Sequence, residues 1–360
     1  MARILHIANF GRKANGAFHH SVEYKITNGL IRNGHHVVCV SDRDLARAGS
    51  WLGHRKFGVG AANREIVKLC RNMEPELLLL GHANVVRSRT IAEIRRDLPS
   101  MRVLQWNVDW LSDAANVRHI ESKLDVVDAT LVSTAGEALR PLARPGKTIG
   151  FLPNPVDSSI ERGRNFELAT LPYDLFFSCG SDSDARFVCG ALWKPGDLFE
   201  RLERAIPDLR PLFAGMRGRP ALVGARYQRA LESAAIGLNV SRRNDIYLYS
   251  SDRLAQFCGN GLAVLVDRAT GYGDIFSDDE FAFFSTVDEL IEKTARLKAD
   301  VSYRQKLARA GWRRYSSLFN ERAIAKYIVD VAFGRVRASD YPWPTLLKDD
   351  SVGPSAAPGA

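Results

Sequence analysis

No stretch of the 360-residue chain is apolar for long enough to cross a bilayer. Met1-Ala2-Arg3 runs straight into a short strand-like segment without a leader pattern, so a cytoplasmic protein is the expectation. Cysteine is sparse. The five residues Cys39, Cys70, Cys179, Cys189 and Cys258 are scattered and form no C-x-x-C pair, which excludes a disulfide framework and argues against zinc. A G-x-G-x-x-G dinucleotide fingerprint is also missing, which counts against a dehydrogenase. The formal net charge is +9, yet the arginines are dispersed along helices (Arg87-Ser88-Arg89, Arg95-Arg96) without interleaved aromatics, so nucleic acid is not an expected partner. Phosphorylated substrates or peripheral contact with an anionic membrane at its inner face fit the charge better.

What is present is alternation. Ile4–Ala8 reads as a strand, and Val22, Ile26 and Leu30 then share one face of a helix that Asn33-Gly34 stops. Strands at His36–Val40, Leu77–Leu80, Val103–Trp106, Ala129–Val132 and Thr148–Leu152 follow, with helices near Arg64–Arg71 and at Ser88–Asp97. Pro153 to Asn165 has no periodicity and reads as a linker. The alternation then restarts with strands at Asp174–Ser178, Leu209–Phe213, Ile236–Val240 and Ala263–Val266. Helices are expected at Asp197–Ala205, Leu222–Ala234 and Ser250–Cys258, and three more close the chain. The fold class is therefore α/β, with two Rossmann-like doubly wound domains facing a cleft. The first is expected over 1–157 and the second over 170–319. A helix follows at 320–335, and a Pro-, Ser-, Gly- and Asp-rich tail over 338–360 is expected to be disordered.

Ligands of such sheets bind beyond the carboxyl ends of the strands, so four strand-end segments carry the candidate chemistry. After the first strand, Gly11 and Gly16 allow close backbone approach to a ligand, unless the loop is simply solvated; His19 or His20 just beyond is a candidate base or a structural residue. In Trp106-Asn107-Val108-Asp109-Trp110, Asp109 can take a proton from an acceptor hydroxyl while the indoles stack on a sugar; alternatively the tryptophans are core and Asp109 caps a turn. Gly180 and Ser181 offer backbone N–H groups to an anion and Arg186 a bidentate guanidinium, while Asp182-Ser183-Asp184 invites a divalent metal. Ser251-Asp252-Arg253 opens a helix whose orphan N–H groups, with Arg253, suit a diphosphate; Ser250 or Ser251 would cap it.

Gly261-Leu262-Ala263-Val264-Leu265-Val266 resembles the helix-Gly-x-Pro-Val-Val element of the group 1 glycosyltransferases. Ile236 through Ser241, with Ser251-Asp252-Arg253, is closer to their CgeB-like branch, and Gly34-His35-His36-Val37 and Pro153-Asn154-Pro155-Val156-Asp157 continue the likeness. The resemblance implies a GT-B fold and a nucleoside diphosphate sugar held by the second domain, with Asn239 and Gln256 among the donor-binding residues. It also implies a last helix crossing back to the first domain, and a leaving diphosphate supported by basic side chains, with no metal and no cofactor besides the substrate. Two glutamates usual in the family are replaced by Leu248 and Gln256. The expected activity is sugar transfer to a hydroxyl of a glycan or lipid-linked glycan in cell-surface polysaccharide synthesis, with Asp109 first and His19 second as base. A non-catalytic sugar-nucleotide-binding protein and a sugar-nucleotide epimerase are the alternatives.

Overall fold

The computed structural model describes residues 1–10, 15–180 and 183–347. Six strands, β1 (Arg3–Ala8), β2 (His36–Ser41), β3 (Leu77–Gly81), β4 (Arg102–Asn107), β5 (Ala129–Val132) and β6 (Thr148–Phe151), form one wholly parallel sheet in the order β2-β1-β3-β4-β5-β6. Helices α1 (Val22–Arg32), α2 (Asp42–Ala48), α3 (Arg55–Met73), α4 (Ser88–Asp97) and α5 (Ala114–Glu121) cover it. Every residue of β3 is buried, as a central parallel strand with both faces covered requires.

The second sheet contains β7 (Tyr173–Ser178), β10 (Pro211–Ala214), β11 (Ala234–Asn239), β12 (Ala263–Asp267) and β13 (Ala282–Phe284), again all parallel, ordered β10-β7-β11-β12-β13. A two-stranded hairpin, β8 (Arg186–Val188) and β9 (Ala191–Trp193), stands apart from it. The remaining helices are α6 (Pro195–Ala205), α7 (Gly224–Glu232), α8 (Arg253–Gly259), α9 (Val287–Ala299), α10 (Val301–Leu318) and α11 (Glu321–Ala332). In each sheet the strand order reverses once, between β1 and β3 and between β7 and β11. A crevice therefore opens beyond the ends of those strands.

The chain returns to the first sheet through α11, which packs on α1. At their crossing, a Cβ on Gly29 would lie 1.9 Å from the Glu321 carbonyl oxygen, so only glycine permits the approach. Arg32 Nη1 binds Glu321 at 2.6 Å and Asp157 at 2.7 Å, tying α1 to both α11 and the linker. Among the described residues no helix is long and apolar enough to cross a membrane.

The tail differs from the expectation of disorder from residue 338. Phe151 N–H donates to Thr345 O at 2.9 Å and Leu347 N–H to Ile149 O at 3.0 Å, so the chain runs antiparallel along the open edge of β6. Tyr341 and Trp343 are buried against Tyr327 and Phe319. The polar, Pro-rich composition of the whole tail masks two aromatic rings that supply enough apolar area to anchor this part; residues 348–360 lie outside the described residues. Trp343→Ala is expected to destabilise the protein by about 3 kcal/mol, measured by urea denaturation, whereas truncating the exposed Leu346 should cost little.

Candidate active site in the interdomain cleft

At the reversal of the second sheet lies a cavity of about 510 Å³. Cys179 and Gly180 follow β7, Ser241 and Arg242 follow β11, and Ser251 and Arg253 lie at the start of α8; Asp109 and Trp110 reach it from the first domain. Arg186 enters on the hairpin. Cys189 (φ 49°) and Gly190 (φ 77°) make its two-residue turn, whose left-handed pair matches the twist of the strands. The hairpin is docked by Phe187 N–H to Arg242 O at 2.9 Å and Asn244 Nδ2 to Phe187 O at 2.8 Å, while Asp267 accepts the Cys189 N–H at 2.7 Å.

Two guanidinium groups converge here. Arg186 Nη1 donates to the Val240 carbonyl at 3.1 Å and Arg253 Nη1 to the same oxygen at 2.8 Å. Both lie over the Phe177 ring, at 5.2 and 4.9 Å from its centre. No carboxylate among the described residues pairs with either, and the Arg186 Nε has no hydrogen-bond partner there. Burial, and then the charge of Arg253, push the Arg186 pKa down to about 10; burial also lowers that of Arg253. Two like charges, partly desolvated and short of acceptors, make a site for an anion with several oxygens.

The other expected donor residues divide. Gly180 and Ser251 line the cavity, and the Ser251 Oγ is buried without a hydrogen-bond partner among the described residues. Neither Ser250 nor Ser251 caps α8: Asp252 precedes the helix with no side-chain cap bond, and Ser250 Oγ donates to Ser251 O instead. Gly16 is exposed on the loop whose Ala17 carbonyl accepts the Gly224 N–H, and it lines neither this cavity nor the one described below. Asn239 is fully buried with both side-chain polar atoms unpartnered and is also off the cavity walls. Gln256 is spent inside the protein, its Oε1 accepting from Tyr227 at 2.5 Å and its Nε2 donating to Asp252 at 2.7 Å. Leu248 is buried in the core with φ 55°. Gly11, Ser181 and Asp182 lie outside the described residues. Asp184 is engaged by Arg242 at 2.6 Å.

Asp252 belongs to a charged cluster that joins the domains. The Lys25 ammonium, on α1 and with no exposed surface, sits 2.6 Å from Glu161 on the linker and 3.1 Å from Asp252. Burial acts to lower the Lys25 pKa, but the two carboxylates outweigh it and raise the value. Glu161 is pushed up to about 7 by burial, against the pull of Lys25.

Across the cleft a second cavity of about 360 Å³ lies at the reversal of the first sheet. Asp109 stands in the wall of both cavities. Its N–H donates to Asn107 Oδ1 at 2.8 Å, which sets the turn, and its carboxylate lies 3.4 Å from His82 Nδ1. His82 Nε2 accepts the Val108 N–H at 3.1 Å, so the ring hydrogen resides on Nδ1, facing Asp109. Sequence reasoning missed His82; its one signal was a position directly after a buried strand. Of the tryptophans, Trp106 is core and donates to His6 at 3.3 Å, while Trp110 lines the larger cavity under the Arg242 guanidinium. His19 is exposed and lines neither cavity. His20 is stacked on Tyr227 at 5.1 Å, its pKa lowered to about 4 chiefly by burial.

Solved structures share this fold. The Anabaena protein Alr3699/HepE, crystallised with UDP and glucose, superimposes with a TM-score of 0.57 at 10% identity over 93% of this chain and all (100%) of that one. A Rickettsia africae glycosyltransferase gives 0.57 at 10% over 93% and 99% of the two chains. AviGT4, a glycosyltransferase of avilamycin A biosynthesis, gives 0.53 at 14% over 92% and 96%. The chain has the GT-B fold. Residues 194–330 of the GT-B second domain match the model of a family described as glycosyl transferase-like. No curated protein matches the chain in sequence.

Removing the Lys25 charge tests how the two GT-B domains are held. Lys25→Met leaves Glu161 and Asp252 buried against each other and is expected to cost about 3–5 kcal/mol at pH 8. The sign with pH follows from Glu161. Its folded pKa lies above the usual carboxylate value, so acidification from 8 through about 7 neutralises it in the folded state first. The deficit of the variant against wild type should therefore shrink towards pH 5, as read from paired thermal melts.

Proposed function

We propose that the protein is a glycosyltransferase that moves a sugar from a nucleoside diphosphate sugar to a hydroxyl of a glycan or lipid-linked glycan, in the synthesis of a cell-surface polysaccharide. The observation that carries this reading is the Arg186–Arg253 couple, met by no carboxylate among the described residues and facing Asp109 across the cleft. As the bond to the anomeric carbon breaks, negative charge grows on the diphosphate, and fixed guanidinium groups stabilise it without having to reorganise. Asp109, oriented by His82, takes the proton of the attacking hydroxyl. In this reading the basic pair does the work of a metal and no further cofactor is required. UDP is the first nucleotide to test, because Alr3699/HepE was crystallised with it. The Ser251-Asp252-Arg253 segment supports a place in the CgeB-like branch, and the net charge of +9 supports peripheral contact with an anionic membrane from the cytoplasmic side.

A sugar-nucleotide-binding protein without turnover is favoured by one observation: the positions of the two usual glutamates hold a buried Leu248 and an internally bonded Gln256. The two readings separate in a single set of variants. UDP in excess should raise the melting temperature of wild type, and Arg253→Ala or Arg186→Ala should abolish that rise without lowering the ligand-free melting temperature, since each relieves like-charge repulsion. Asp109→Asn should keep the UDP response and lose turnover by about 10²–10⁴-fold. Turnover unchanged in Asp109→Asn would remove Asp109 from the chemistry, and no transfer by wild type to any acceptor would leave the binding protein.

A further inference from the structure

Three large apolar side chains are left in water side by side. Trp51 is fully (100%) exposed, Leu52 70% and Phe57 72%, in an unbroken exposed run from Trp51 to Phe57. This run is the tip of a helical hairpin made by α2 and α3. The two helices pack so closely that a Cβ on Gly58 would lie 1.7 Å from the Ala46 carbonyl oxygen. Ala46, Ala62 and Val85 fill the space beneath. Small side chains at this contact leave no slot into which an indole could fold back, so Trp51 and Phe57 stay in water unless something outside the chain covers them. Single exposed hydrophobics are ordinary, whereas three on one closely packed tip make a surface.

The charge around the tip identifies what covers it. Between Asp44 and Glu65 the sequence has no acidic residue and four basic ones, Arg47, Arg55, Lys56 and Arg64. The bracketing carboxylates are already engaged, Asp44 by Arg47 and Glu65 by Lys68 at 2.8 Å. Arg55 and Lys56 are exposed, and no ion pair among the described residues reaches either. The positive field extends onto α5, where His119 is held below its usual pKa by burial and then by Lys123, Arg43, Arg118 and Arg55. A second copy of the chain would press the same cations against these, which disfavours self-association through the tip. Aromatic rings beside unpaired cations match an anionic bilayer: its headgroup region takes up indole and phenyl rings, and its phosphates meet arginine and lysine. Resting on the peripheral membrane contact proposed above, we propose that the α2–α3 tip is the docking element, with Trp51, Leu52 and Phe57 in the headgroup region and Arg55 and Lys56 on lipid phosphates. α2 begins at the carboxyl end of β2, and its Arg43 lines the smaller cavity, so docking here sets the cleft beside the bilayer.

The test is co-sedimentation of the full chain with vesicles of phosphatidylcholine alone and of phosphatidylcholine mixed equally with phosphatidylglycerol. Wild type should bind the mixed vesicles and bind phosphatidylcholine far less. The triple variant Trp51→Ala, Leu52→Ala, Phe57→Ala and the double variant Arg55→Gln, Lys56→Gln should each weaken binding about tenfold or more. Trp51 emission, read as wild type minus Trp51→Phe, should shift to the blue on the mixed vesicles. Two controls should bind as wild type does: Ile31→Ala, an exposed apolar residue elsewhere, and Lys306→Gln with Arg313→Gln, which removes the same net charge from α10. Exposed side chains hold little of the fold, so every variant should keep the ligand-free melting temperature. Equal losses in the tip and α10 charge variants, or undiminished binding by the triple variant, would overturn the tip and leave a contact driven by net charge. Equal binding of wild type to both vesicles would overturn the anionic partner. No binding to either would overturn the membrane contact as well. Self-association of wild type in sedimentation velocity that the triple variant abolishes, without vesicle binding, would make the tip an interface between copies instead.

Discussion

A single buried ammonium holds this molecule's two halves in register. Lys25 projects from the first domain's α1 and is met by Glu161 from the linker and Asp252 from the segment that opens α8. Withdrawing three charged groups from water is costly, and an ammonium without both carboxylates would not remain ionised at this depth. The arrangement is therefore satisfied in one relative placement of the three segments. Asp252 is followed directly by Arg253, so the ion cluster that joins the domains also sets the position of a cleft arginine with respect to Asp109 on the opposite wall. The packing of α11 on Gly29 and the Arg32 pairs reinforce the same alignment from the far side of α1.

In the cleft Asp184 is taken by Arg242, whereas no carboxylate among the described residues meets Arg186 or Arg253. Arg186 and Arg253 share one carbonyl acceptor and a phenyl face, and the cost of placing them together falls when an anion enters. The smaller cavity holds two buried side-chain oxygens, Asn9 Oδ1 and Ser21 Oγ, with no hydrogen-bond partner among the described residues. The two cavities meet at Asp109, an arrangement that fits the proposed transfer from a nucleotide sugar to a hydroxyl. The GT-B architecture produces this by placing the reversal points of two sheets opposite each other.

Hydrophobic periodicity carried most of the architecture. Ser88–Asp97 and Ala129–Val132 occur in the structure with the bounds read from sequence, because a long amphipathic stretch and a buried apolar run are strong signals. The short α2 and α5 were not legible. Their few apolar positions make no pattern, and they depend on caps from Ser41 and Asp113. The β8–β9 hairpin was hidden for a similar reason, since its register comes from docking on Arg242 and Asn244 rather than from alternation. At the site, position after a strand brought attention to Asp109, Gly180, Arg186 and Arg253, all of which line the cleft. Side-chain direction was beyond reach. Asn239 and Gln256 turn inward, His19 turns to solvent, and His82 belongs to no motif. The tail shows the same limit: composition averaged over many residues concealed the anchoring of Tyr341 and Trp343.

The central claim is that the Arg186–Arg253 couple exists to hold a nucleotide diphosphate. A crystal structure of the protein grown with UDP tests it most directly. The account predicts density for both phosphates within hydrogen-bonding distance of Arg186 and Arg253, with Trp110 and Asp109 across the cleft. UDP bound elsewhere, or an anion-free cleft in which the two guanidinium groups have swung onto protein carboxylates, would contradict it.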